Sequence, residues 1–142
     1  MRLILILTTL LAFQSAAESE FDYVKALADK SDADAQLIVG YLYDLGEGVP
    51  ENDAEAVKWY RKAAQQGYSD AQQNLGFMYA KGEGVQKNYS LAYVWWSMAK
   101  WRGNASAAKN IDLLKPKLIR KQIEDGQALA AKCFESNYKD CD

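Results

Sequence analysis

Histidine is absent from the 142-residue chain. Ser-His-Asp and Cys-His catalysis, an HExxH zinc site and a His-ligated haem are therefore excluded. Proline occurs twice and cysteine twice, which rules out a collagen-like, proline-rich disordered or disulfide-only chain. There is no basic excess: 17 Lys and Arg stand against 19 Asp and Glu, giving a net charge of −2. The pI near 5.2 argues against a general electrostatic grip on nucleic acid. What is present is 49% hydrophobic and 25% charged residues, the mix of a globular chain, and the length suits one domain.

The N-terminus reads as a cleaved leader. Met1-Arg2 is a short positive start, Leu3 to Phe13 is mostly apolar, and Ser15-Ala16-Ala17 places small residues before a cut ahead of Glu18. The apolar run falls well short of the roughly 20 residues of a membrane span. The mature chain, residues 18–142, would lose Arg2 and keep 16 basic residues against 19 acidic ones. Export to an oxidising compartment favours pairing of Cys133 with Cys141. A redox or metal role has no support, since there is neither a CxxC spacing nor a further Cys or His ligand. No cofactor and no metal site is expected.

The chain repeats itself. Residues 34–69 align with 70–105 at a shift of 36 without a gap, with 14 identities in 36 positions. Asp34-Ala35-Gln36, Gly40, Tyr43, Gly46-Glu47-Gly48-Val49, Asn52, Ala56, Trp59, Ala63 and Gly67 all recur. Such a period marks a solenoid. Each unit reads as two antiparallel helices. The first carries Ala35, Val39, Leu42 and Tyr43 as one apolar stripe and stops at Gly46. The second starts from Asn52 or Asp53 and runs through Trp59 and Ala63 toward Gly67. Trp59 and Trp95 are expected as buried spacers.

The flanks are less regular. Residues 20–33 read as a lone second helix in which Tyr23 and Ala28 fall opposite Trp59 and Ala64. Residues 106–142 form a degenerate unit interrupted at Pro116, with a second helix from about Ile123 to Phe134 whose apolar face is Ala128, Leu129 and Ala131. The tail rejoins the pattern two residues early, so that Cys133 and Cys141 fall opposite Ala63 and Ala71, where a bridge would lock the open end of the stack. The fold class expected is all-α, an α-solenoid of about seven helices.

The combination Gly40, Tyr43, Gly46-Glu47-Gly48-Val49, Ala56, Trp59-Tyr60, Lys62-Ala63-Ala64 and Gly67, repeated from Ala71 to Gly103, resembles the Sel-one-like repeat family over about residues 20–142. The terminal Cys pair is similar to that of cysteine-rich bacterial members, in which every repeat carries one. The resemblance implies a tetratricopeptide-like scaffold that binds other proteins. A link of some relatives to β-lactams carries over poorly, because no Ser-x-x-Lys with companion motifs is present. In this architecture first helices line the inner surface, which makes Leu37, Tyr41, Asp44, Gln73, Phe77 and Lys81 the expected partner-binding face.

Other motifs have plainer readings. The Gly-Glu-Gly loops lack a following Lys-Ser or Lys-Thr and read as helix ends rather than phosphate cradles. Asp53 with Glu55 and Glu124 with Asp125 sit at helix starts, where carboxylates meet the helix dipole, so no catalytic residues are assigned. Asn88-Tyr89-Ser90 and Asn104-Ala105-Ser106 match a glycosylation triplet but read as caps. Trp101 and Arg102 are expected to pack on the irregular third unit. The function expected is an exported, monomeric, non-enzymatic adaptor for a protein partner in the bacterial envelope, as an assembly scaffold or an immunity protein. It would have no membrane span after cleavage and no nucleic-acid partner. The alternative is a small-ligand or cell-wall-fragment binder with weak hydrolase activity.

Overall fold

In the computed structural model, which describes residues 15–16 and 18–141, the 36-residue period of the sequence becomes a period of helices. The expected leader, residues 1–17, lies outside the described residues except at positions 15 and 16. Helix α1 covers 18–28. It is followed by α2 (Ala33–Leu45), α3 (Asp53–Gln65), α4 (Ser69–Lys81), α5 (Tyr89–Trp101) and α6 (Ala105–Leu114). A 3-10 turn at Lys115–Lys117, where Pro116 removes a backbone donor, leads into α7 (Arg120–Glu135). No strand occurs among the described residues.

The repeat identities explain the period. Asn52, Asn88 and Asn104 cap α3, α5 and α6, each accepting through its side-chain oxygen from a backbone N–H three residues on, at 3.0, 3.0 and 2.9 Å. Gly40 and Gly76 lie inside helices, where glycine ordinarily costs stability. A Cβ there would stand 2.5 Å from the ring of Tyr60 and of Trp96, respectively, so glycine admits the aromatic of the following helix. The buried Gln36 and Gln72 donate to the carbonyls of Ala28 and Ala64 at 3.1 Å, one bond made twice, tying each hairpin to the helix before it.

Helix α5 packs against α4, α6 and α7 and is buried without a break from Ala92 to Ala99. A helix buried on all sides is the centre of a core. Trp95 is fully enclosed there, and Trp59 closes a smaller cluster with Phe21, Ala28, Ala35 and Val39. Trp101 meets Phe134 edge to face at 5.4 Å, and Arg102 donates to the Tyr138 hydroxyl at 2.7 Å, so both pack on the third unit as expected.

At the flanks, the equivalence of Tyr23 with Trp59 does not extend to burial, and the expected apolar face of α7 is corrected. Tyr23 is 68% exposed, and Phe21 is the buried aromatic of α1, edge to face with Tyr43 at 5.5 Å. Trp59 is buried because it faces back onto α1, whereas Tyr23, one period earlier, has no such helix behind it among the described residues. Helix α7 begins three residues before Ile123, where the Gln122 side chain accepts from the Ile119 N–H at 3.0 Å. Its buried stripe is Gly126, Ala130 and Cys133, with Leu129 half-buried and Ala128 and Ala131 exposed. Gly126 sets that register, since a Cβ there would press on the Tyr93 ring at 3.0 Å.

The tail does rejoin the pattern. The Tyr138 N–H donates to Cys133 O at 2.8 Å, as Tyr68 does to Ala63 and Asn104 to Ala99. Where the first two units use Gly67 and Gly103 at positive φ, the third uses Asn137, the side chain that tolerates this region best, followed by Tyr138. The Cys133 and Cys141 sulfurs lie at disulfide distance, with Cα atoms 4.5 Å apart, across this turn.

Candidate protein-binding face

Helices α2 and α4 place Tyr41 and Phe77 at matching positions, 39% and 42% exposed. Tyr41 stands edge to face on Tyr60 of α3, ring centres 5.6 Å apart. Tyr60 donates to Asp44 at 3.0 Å, and burial together with the Asp44 carboxylate raises the phenol well above its ordinary pKa. Of the expected face, Leu37 and Gln73 contribute least. Leu37 is half-buried against the main core. Gln73 is half-buried, and its backbone carbonyl accepts from Trp96 Nε1 at 2.9 Å. Asp44 is committed to Tyr60.

Phe77 and Lys81 open onto a pocket of about 360 Å³. Its other walls include Lys87 and Tyr89 from the segment entering α5, Trp96 of α5, Leu113 and Leu114 of α6 and Lys117 of the 3-10 turn. Reading the repeats missed Lys87, Tyr89, Trp96 and Lys117. Lys87 comes from a loop taken as a connection, and Lys117 from the unit without a counterpart. The signal was available at Lys81 and Lys87, which replace Leu45 and Glu51 of the preceding repeat. A second pocket of about 480 Å³ lies between α1 and α2, lined by Phe21, Val24, Ile38, Leu42, Glu20 and Glu47.

No group of His, Cys, Asp or Glu side chains suited to a metal ion occurs among the described residues, and no helix there is long and apolar enough to cross a membrane. The geometry offers shallow aromatic surfaces held by a rigid frame.

Helical hairpins stacked at a fixed period, each packing on its neighbours, define a helical repeat solenoid. The chain belongs to the Sel1 repeat family, whose family model matches residues 33–68 and 69–103. Sel1 repeats generally serve as non-catalytic scaffolds for protein interaction. Among solved structures, the chain is similar to c5321, described as a protective antigen present in uropathogenic Escherichia coli strains displaying an SLR fold. The identity is 28%, the TM-score 0.81, and the match covers 85% of this chain and 27% of that one. It is also similar to a Sel1 repeat protein from Oxalobacter formigenes, at 35% identity and TM-score 0.60, covering 72% of this chain and 45% of that one. The chain thus spans less than half of either protein. No curated protein matches it.

Proposed function

We propose that this chain is an exported, non-enzymatic scaffold that binds another protein along the face formed by α2 and α4. The observation that carries the reading is the pair Tyr41 and Phe77. One repeat apart, both are exposed; Tyr41 stands edge to face on Tyr60, and Phe77 borders the pocket that Trp96 also lines. Aromatics held this way lose little rotamer freedom on binding and act as anchors. The leader-like N-terminus and the terminal Cys pair support export to an oxidising compartment such as a bacterial envelope. Likeness to a protein described as a protective antigen is in keeping with that location. At the pocket beside Phe77 the cell-wall-fragment or hydrolase reading is weaker, because no carboxylate lines it. Affinity capture of the oxidised chain from its own envelope fraction tests the proposal. One protein in stoichiometric yield, depleted for the Tyr41→Ala, Phe77→Ala double variant, is the expected result. Equal capture by both forms refutes the face.

A further inference from the structure

The two repeats keep the same aromatic frame on this face and differ in its charge. Tyr41 and Tyr60 of the first correspond to Phe77 and Trp96 of the second. Around them Asp44, Leu45, Glu51 and Asp53 become Ala80, Lys81, Lys87 and Tyr89. The acidic surroundings of one unit are thus replaced by a basic one. The irregular third unit adds to it, since Lys117 reaches the same pocket.

The three ammonium groups are held by rings. Lys81 lies 5.4 Å from the Phe77 ring centre, and Lys87 and Lys117 lie 4.9 and 5.9 Å from that of Tyr89. None of the three is in an ion pair among the described residues. No Asp or Glu lines the pocket. In a chain of net charge −2, this local excess is a feature of the site and not of the whole molecule. The Tyr89 phenol has its pKa lowered, first by a hydrogen bond with Lys87 and then by the charges of Lys87 and Lys117.

We propose that the Phe77–Trp96 pocket receives an acidic peptide segment of the protein partner, with carboxylates on Lys81, Lys87 and Lys117 and one apolar side chain between Phe77 and Trp96. The inference rests on the scaffold reading and specifies its chemistry. Charge complementarity of this kind chooses the partner and speeds its encounter, while the buried apolar anchor supplies most of the hold. Rim charges also make the affinity fall with salt.

Panning a random twelve-residue display library on the oxidised full chain, followed by titration of the selected labelled peptides, tests this. Enriched peptides are expected to carry two or more Asp or Glu beside an aromatic or branched aliphatic residue. Their affinity should fall about tenfold or more in the Lys81→Glu, Lys87→Glu, Lys117→Glu variant, and by less in the corresponding Lys→Gln variant. A matched reversal away from the pocket, Lys30→Glu, Lys132→Glu, Lys139→Glu, controls for net charge and should leave affinity within about twofold. Circular dichroism confirms that each variant is folded. Enriched peptides without acidic residues, released instead by Tyr41→Ala, overturn the inference and leave the scaffold reading standing. No enrichment, or equal binding by the pocket and control variants, overturns it as well. So does binding of phosphatidylglycerol vesicles or single-stranded DNA by these lysines in preference to the acidic peptides.

Discussion

Replacing Gly76 by alanine should destabilise the protein, although alanine is the better helix former. Propensity alone would favour the change by about 1 kcal/mol. Against it, the new methyl carbon would stand 2.5 Å from Trp96 Cδ1 and 2.6 Å from Nε1, roughly 1 Å inside ordinary contact. The indole cannot retreat freely, because α5 is buried from Ala92 to Ala99 around it and Nε1 donates to Gln73 O at 2.9 Å. Overpacking of this kind costs about 1–3 kcal/mol, and a buried indole N–H that loses its acceptor adds about 1–3 more. The net loss is about 1–5 kcal/mol, and its middle value of about 3 is a fall in Tm of roughly 10 °C for a chain of this size. Thermal unfolding followed by circular dichroism reads it directly. In a Trp96→Leu background the same Gly76→Ala change should be neutral or stabilising, giving a coupling of about 2 kcal/mol or more across the pair. A Gly76→Ala variant as stable as the parent, or one equally damaged in both backgrounds, would refute the view that glycine is there to seat the indole.

The bridge offers a second test. On the chain-entropy estimate, closing the loop between Cys133 and Cys141, eight positions apart, contributes about 2.5 kcal/mol, so Cys133→Ser, Cys141→Ser should unfold at lower denaturant, with the parent shifted likewise by reductant. Asn88→Ala removes the cap of α5 and should cost about 1 kcal/mol by urea unfolding, with Asn88→Gly costing less. Tyr60 titrates above its ordinary value of 10.0 in the folded chain, because of burial and Asp44. The unfolded chain therefore releases this proton first, and the stability it contributes is intact below pH 10 and declines as pH rises beyond it. Unfolding measured from pH 9 to 11.5 should show a shallower decline for Tyr60→Phe than for the parent, and equal slopes would contradict the assignment.

The parts that were legible in the sequence are those where the same physical constraint acts twice. Asn52 and Asn88 cap helices, Gly40 and Gly76 seat rings, and Gln36 and Gln72 tie hairpins, so the identities at a shift of 36 mark helix limits and packing together. Position without a second copy was less readable. Tyr23 matched Trp59 by number but has no helix behind it among the described residues, and the face of α7 was set by one glycine against Tyr93 rather than by alanine spacing. The pocket beside Phe77 was missed for a related reason. It is built where the repeats differ, and one wall comes from the unit that breaks the pattern. Reading identities locates the frame, and reading the differences between equivalent positions locates what the frame presents.

The central claim is that the α2 and α4 face holds a protein partner, and site-specific photo-crosslinking in the native cell envelope tests it most directly. Benzoylphenylalanine placed at Tyr41 or Phe77 should yield one discrete protein adduct, while the same probe at the exposed Lys58 of α3 or Glu135 at the end of α7 should yield none. No adduct from either face position, or equal adducts from face and control positions, would contradict the account.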